Sequence, residues 1–190
     1  MTLPHLSPLH LQAAWRIAVE AHALQLDKGK ESYLFHVARV AMALDTPLEQ
    51  VCGLLHDVLE DSPDSGAWYA VIQQEFPWAV IECCEALCRR DVEPYEAYIA
   101  RLATNPLAVK VKLADLDDNL NVRRLCKLPK KEAARLQAKY LSAFAYLTKE
   151  NHETQPDPNS RSLNDPSPSA ASTQATGPKP CKHLGATEDC

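Results

Sequence analysis

Glycine is scarce in this chain, with five in 190 residues. A fold built on tight β-turns needs more left-handed positions than that. No segment alternates apolar and polar residues convincingly, so a loop-rich β fold is disfavoured. No apolar run approaches the roughly 20 residues that span a bilayer, so no membrane partner is expected. The opening Met1 to Leu6 lacks a basic stretch followed by an apolar core. No export signal is therefore read, and the protein is expected to be cytoplasmic. Basic character is also missing: the formal net charge is −5. That argues against a nucleic-acid binder but not against a small anionic ligand, which a local cationic pocket or a metal can hold. Neither CxxC nor the phosphate-loop pattern GxxxxGK occurs.

Seven cysteines, an odd number, fit reduced thiols. Cys52, Cys83, Cys84, Cys88 and Cys126 read as small buried hydrophobes. From Asn151 to Cys190 there is no Phe, Tyr or Trp, and six of the 14 prolines fall there. Such a segment buries too little apolar surface to offset its ordering entropy, so residues 151–190 are expected to be a disordered tail. Its Cys181, His183 and Cys190 lack a fourth ligand for a closed metal site.

Residues 1–150 read as one all-α domain, a compact bundle of about eight helices. The predicted helices run Leu9 to Leu26, Tyr33 to Leu44, Leu48 to Leu59, Trp68 to Phe76, Trp78 to Cys88, Tyr95 to Ala103, Pro106 to Leu125 and Lys130 to Lys149. In the first, Leu11, Ala14, Trp15, Ala18, Val19 and His22 are read as one face. Thr46-Pro47 suits a helix start, with proline at the first position. Ser62 to Gly66 is a turn cluster.

The densest chemistry lies in His56-Asp57-Val58-Leu59-Glu60-Asp61. On one continuous helix His56 would lie over Glu60 and Asp57 over Asp61. Three carboxylates this close repel one another, and a bound cation relieves the repulsion. His36 and Asp115 sit in two other apolar helical stretches. His36, His56, Asp57 and Asp115 together offer two imidazoles and two carboxylates. That mixed set suits Mn²⁺, with Fe²⁺, Mg²⁺ or Zn²⁺ as other divalent candidates. Taken singly, His36 could be a satisfied core histidine, and at least one of Asp117 and Asp118 could belong to a solvated face.

Three stretches carry a resemblance: Tyr33-x-x-His36, Leu54-Leu55-His56-Asp57-Val58-Leu59-Glu60-Asp61-Ser62, and Val111-Lys112-Leu113-Ala114-Asp115-x-x-x-Asn119. They resemble the HD superfamily of metal-dependent phosphohydrolases. The nearer likeness is to the hydrolase domain of RelA/SpoT homologues and the stand-alone small alarmone hydrolases, over residues 14–147. The resemblance implies that His36, His56, Asp57 and Asp115 hold the metal, normally Mn²⁺. It implies that Glu60 and Asp61 orient or activate the attacking water. Asn119 would contact the nucleotide, and Lys28 would lie beside the base. The implied reaction removes pyrophosphate from the 3′ position of guanosine tetra- or pentaphosphate.

His36 is followed by Val37 where the family usually has proline, and Asp27 stands where many members have arginine. The second difference leaves an adenine alarmone, or another phosphorylated nucleotide, open as substrate. With no synthetase region in the sequence, hydrolysis without synthesis is expected. Lys28, Lys30, Arg39, Lys112, Arg123 and Arg124 are candidate cations for phosphate. The alternatives are an HD-type nucleotidase acting on another nucleotide and a non-catalytic nucleotide sensor. The oligomeric state is not set by the sequence.

Overall fold

The computed structural model describes residues 6–62 and 64–153, so the segment from 154 onward, with Cys181 and Cys190, lies outside the described residues. Ten helical segments make up the described chain: α1 Pro8–Ala21, α2 Tyr33–Met42, α3 Pro47–Leu55, α4 Val58–Asp61, α5 Ser65–Glu75, α6 Trp78–Leu87, α7 Tyr95–Leu102, α8 Pro106–Asn119, α9 Val122–Leu125 and α10 Lys130–Glu153. The all-α expectation holds. Among the described residues the extended pairing is limited to one isolated bridge between Leu26 and Ser32, and no helix is long and apolar enough to cross a membrane.

Local chemistry sets the helix starts. Thr46 caps α3: its side chain accepts from the Glu49 N–H at 3.3 Å, and Glu49 accepts from the Thr46 N–H at 3.0 Å. Pro47 follows, its missing N–H costing nothing at that position. Asn105 does the same for α8, its Oδ1 accepting from Leu107 and Ala108 at 3.0 Å each. Glu49 then bonds Lys110 at 2.6 Å, tying the start of α3 to α8.

Helix α3 is the centre of the bundle. Val51, Cys52, Leu54 and Leu55 are buried on it, and it packs against α1, α2, α6 and α8. Gly53 permits the approach of α2, because an added Cβ would fall 3.1 Å from the Ala41 Cα and 2.8 Å from Leu44 Cδ1. Helix α8 packs against α2, α6 and α10. The mutual packing of α2, α3 and α8 brings His36, His56 and Asp115 together.

The predicted helices Leu48 to Leu59 and Pro106 to Leu125 are each broken. The first stops at Leu55, and Asp57 has φ −107° and ψ −1°, outside helical geometry. Its carbonyl accepts the Asp61 N–H at 2.8 Å and starts the short helix α4. His56 and Glu60 therefore do not ride on one continuous helix. The second ends at Asn119, and the Asn121 side chain caps a new turn by accepting from Arg123 at 2.9 Å. Helix α1 ends at Ala21, short of the expected Leu26. Its buried residues are Ala14, Ile17 and Ala18, while Trp15 and Val19 are 37% and 45% exposed, so the inner face is turned toward Ile17. Cys52, Cys83, Cys84 and Cys88 are buried, whereas Cys126 is exposed.

Candidate metal centre

His36 comes from the first turn of α2, His56 and Asp57 from the break between α3 and α4, and Asp115 from the last turn of α8. His56 keeps helical backbone angles, φ −59° and ψ −35°, and turns its Nδ1 back onto the Gly53 carbonyl at 2.7 Å. His36 Nδ1 lies 2.6 Å from Asp118 Oδ2 and 3.0 Å from Arg124 Nη1. A neutral imidazole carries one N–H, and a ring that keeps it on Nδ1 leaves Nε2 with a lone pair.

Both Nε2 atoms face carboxylate oxygens. His36 Nε2 is 3.1 Å from Asp115 Oδ1 and 3.8 Å from Asp57 Oδ2. His56 Nε2 is 2.7 Å from Asp57 Oδ2 and 3.9 Å from Asp115 Oδ1. Neutral rings would set acceptor against acceptor at these contacts, and the buried His56 Nε2 has no hydrogen-bond partner. A proton on each Nε2 or a cation between the four groups relieves this. Ligand atoms of His36, His56 and Asp115 lie within 4.8 Å of one another, and all three residues are buried. The donor set fits a divalent ion that accepts mixed nitrogen and oxygen ligands.

Without a metal, the same carboxylates favour a proton on each ring. Burial alone would hold the His56 imidazole neutral, but the Asp57 and Asp115 carboxylates push it up to about 9. His36 is likewise raised, burial being outweighed by its bonds to Asp115 and Asp118. Asp57 and Asp115 are held well below the usual carboxylate range: burial opposes ionisation, but His56 prevails at Asp57 and Lys112 at Asp115. The pocket selects positive charge.

Each ligand group is fixed from outside. Asp57 accepts the Tyr33 hydroxyl. Asp115 accepts from Lys112 Nζ at 2.8 Å and from Asn119 Nδ2 at 2.6 Å. Asp118 is gripped by Arg39, whose Nε lies 2.5 Å from Oδ1, and by Arg124. Arg124 also donates to Asn119 Oδ1 at 3.0 Å. The Asn119 amide is thus engaged at both ends inside the protein.

Glu60 and Asp61 lie beside the centre. Glu60 stands at the rim and accepts the Arg89 N–H at 3.1 Å. The protein packed around it and the Asp57 charge push its carboxyl up to about 7, against the opposing pull of Lys112 and the Arg89 N–H. Asp61 accepts from Gln25 Nε2 at 3.2 Å, and Gln25 in turn bonds His22 Nδ1 at 2.6 Å. Burial and Asp57 raise the Asp61 carboxyl as well.

Lys28 is exposed on the loop between α1 and α2, as is Lys30, which has φ 65°. Asp27 is buried, accepts the Glu31 N–H at 3.0 Å and lies 3.4 Å from Arg124, so it serves this loop and the Arg124 network. Arg123 is exposed. Asp117 is the solvated one of the acidic pair, and Asp118 is buried at 8% exposure. The signal that separates Asp118 from Asp117 is helical spacing: Ala108, Val111, Asp115 and Asp118 continue one buried stripe. The Gly53 carbonyl and Gln25 carried no such signal.

No family profile matches the chain. It is 29% identical over 133 residues to the bifunctional (p)ppGpp synthase/hydrolase SpoT of Escherichia coli K12, an alignment covering 62% of this chain and 18% of that protein. The same identity and coverage hold for the guanosine-3′,5′-bis(diphosphate) 3′-pyrophosphohydrolase of Shigella flexneri. The chain therefore spans about a fifth of the length of these relatives. Among solved structures, a metazoan SpoT orthologue described as hydrolysing ppGpp aligns with TM-score 0.59 and 20% identity, covering 80% of this chain and 96% of that one. The chain is similar, in sequence to SpoT and in fold to a SpoT orthologue, to the HD-type hydrolase domain of the RelA/SpoT proteins.

Proposed function

We propose that this protein is a divalent-metal-dependent 3′-pyrophosphohydrolase of a nucleotide alarmone, with Mn²⁺ the expected ion. The observation that carries the reading is the convergence of His36, His56, Asp57 and Asp115, with two further carboxylates, Glu60 and Asp61, at its edge. The activity for which the relatives are named supplies the substrate class. A bound divalent ion would offset phosphoryl charge and acidify a water.

His36, His56, Asp57 and Asp115 hold that charge in place. Glu60, with its carboxyl near 7, takes the proton of the attacking water. Asp61, fixed by Gln25, orients that water. Water oxygen bonds to the phosphorus attached to O3′, and the P–O3′ bond breaks. The nucleoside oxygen leaves as a hydroxyl, taking up a proton, and pyrophosphate departs. Asn119 holds Asp115 with one amide N–H and keeps its second for the nucleotide. Lys28 remains the loop cation available to a base. No cation occupies the position of Asp27, which favours testing adenine as well as guanine. The cytoplasmic expectation stands with this reading.

The test is incubation of the purified chain and Mn²⁺ with guanosine and adenosine tetraphosphates bearing a 3′-pyrophosphate. Release of pyrophosphate is expected from at least one. Orthophosphate from a nucleotide panel instead would point to an HD-type nucleotidase. Tight binding without turnover would point to a sensor.

A further inference from the structure

Tyr95 opens α7, and its hydroxyl is buried with no hydrogen-bond partner. Its ring lies 5.9 Å from that of Tyr98, Lys112 Nζ stands 5.5 Å from the Tyr98 ring centre, and Lys112 bonds Asp115 at 2.8 Å, so Tyr95 borders the metal centre. Its ring is fixed on both sides. Tyr98 stacks at 5.9 Å between centroids, and Lys139 Nζ stands 4.3 Å from the ring centre. Tyr98 directs its own hydroxyl to the Leu87 carbonyl at 2.6 Å, so only Tyr95 brings a hydroxyl to this edge without a protein acceptor.

Two cations flank the carboxylates at this edge, Lys112 beside Asp115 and Arg89 beside Glu60. Lys112 has a side chain only 15% exposed, and its ammonium gives one bond to Asp115 at 2.8 Å. An ammonium carries three donors, so it can serve a ligand oxygen while keeping Asp115. Arg89 fixes Glu60 through its backbone N–H and directs Nε to the Glu93 carbonyl at 2.9 Å. The remaining guanidinium donors are a fork suited to an oxyanion. A pocket lined by Asp57, Glu60, Asp61 and Asp115 repels phosphate everywhere except where such cations stand.

We propose that Tyr95, Lys112 and Arg89 form an oxyanion subsite that receives the terminal phosphate of the departing pyrophosphate. This rests on the alarmone reading. A pyrophosphate carries its second phosphorus one bridging oxygen beyond the first. A group reacting beside Glu60 and Asp115 therefore presents its terminal phosphate to the residues that border those two carboxylates. The Tyr95 hydroxyl gains its missing acceptor only when the ligand is present, so it discriminates for a diphosphate over a single phosphate.

The test measures binding of inorganic pyrophosphate and of orthophosphate to the full, Mn²⁺-loaded chain by calorimetry, for the wild type, Tyr95→Phe and Arg89→Gln. Circular dichroism and metal content establish that each variant is folded and loaded. The wild type is expected to prefer pyrophosphate. Each variant should lose roughly tenfold of that affinity, as for one hydrogen bond to a charged group, with orthophosphate little changed. Unchanged pyrophosphate affinity in both folded variants, or no pyrophosphate binding by the wild type, overturns the subsite. Tyr95-dependent pyrophosphate binding without alarmone turnover keeps the subsite and removes the alarmone reading. Turnover with unchanged KM and unchanged pyrophosphate affinity in Tyr95→Phe does the reverse.

Discussion

His36 Nδ1 lies 2.6 Å from Asp118 Oδ2, and this contact fixes which nitrogen of His36 faces the centre. Asp118 is held well below the usual carboxylate range: burial opposes its ionisation, but His36 and Arg39 outweigh it. It accepts from His36 while Arg39 and Arg124 neutralise it. A carboxylate behind a ligating histidine orients the ring and raises its basicity. Asp118→Asn keeps the shape but can present its NH₂ to Nδ1 and favour the wrong tautomer. We expect this variant to bind Mn²⁺ about 10- to 100-fold more weakly, the usual cost of losing such a partner. Calorimetric titration of stripped protein with Mn²⁺ measures it directly. Wild-type affinity would remove Asp118 from the positioning of His36.

The bundle was legible because its helices announce themselves by apolar spacing and by caps such as Thr46 and Asn105. The break at His56-Asp57 was not. Every residue from Leu48 to Leu59 is compatible with a helix, and the interruption is a change of backbone angles at Asp57, which no side-chain pattern reports. His36, His56 and Asp115 were legible as chemistry because a histidine and an acid in apolar helices are costly unless used. The reading of Asp118 stayed ambiguous because Asp117 beside it differs only in which way the α8 surface turns. Its partners, Arg39 and Arg124, come from 79 and 6 residues away.

Asp57 and Glu60 should fail in different ways. Asp57→Ala removes an oxygen that sits beside both imidazoles, and metal content should fall along with activity. Glu60→Gln leaves the quartet intact, so metal should be retained. Turnover should drop on the order of 10²- to 10⁴-fold, the range for a lost general base. Metal analysis beside initial rates separates the two variants. Retained turnover in Glu60→Gln would exclude Glu60 as the base.

The pH profile follows from the same carboxyl. Glu60 must be ionised to take a proton, and its carboxyl lies near 7. The rate should therefore fall as pH drops through about 7 and level off above it. A carboxylate with an unshifted pKa would leave the rate flat down to about 4.3. A kcat profile flat between pH 5 and pH 8 at saturating metal, with bound Mn²⁺ constant, would contradict this role. Lys112→Gln should move the midpoint upward, because Lys112 opposes the raised Glu60 value.

Glu93 links the segment after α6 to α7 by accepting from Arg101 Nε at 2.8 Å and Nη2 at 2.9 Å. The guanidinium holds its carboxyl down to about 2, against burial. A carboxyl lowered on folding contributes stability above its unfolded value, near 4.5, and loses it as pH falls through the folded value. The difference in melting temperature between wild type and Glu93→Gln should be full at pH 6, shrink below about 4.5 and vanish near 2. Arg101 also donates to the Cys88 carbonyl at 2.9 Å, so part of the α6 end persists in the variant. A difference constant from pH 6 to pH 2 would mean that the charge on Glu93 contributes nothing.

Gly53 couples packing to the metal centre. In an ordinary helix interior, alanine is favoured over glycine by about 1 kcal/mol. At this position the new methyl would meet the Ala41 Cα at 3.1 Å, a backbone atom of α2, and Leu44 Cδ1 at 2.8 Å. The leucine tip can rotate away, but the α2 backbone must move. Overpacking of this kind costs about 1–3 kcal/mol, which exceeds the propensity gain. The displacement also has a direction: α2 carries His36, and α3 leads into His56, whose rings lie 5.2 Å apart. Separating the helices widens that spacing and shifts the Gly53 carbonyl that holds His56 Nδ1. Gly53→Ala should therefore lower the melting temperature and weaken Mn²⁺ binding together. Val51→Ala, in the same helix but with no part in the α2 contact at Gly53, should lower stability with a smaller effect on the metal. Titration of both variants with Mn²⁺, at a temperature where each is folded, decides between general loosening and displacement of His36 from His56.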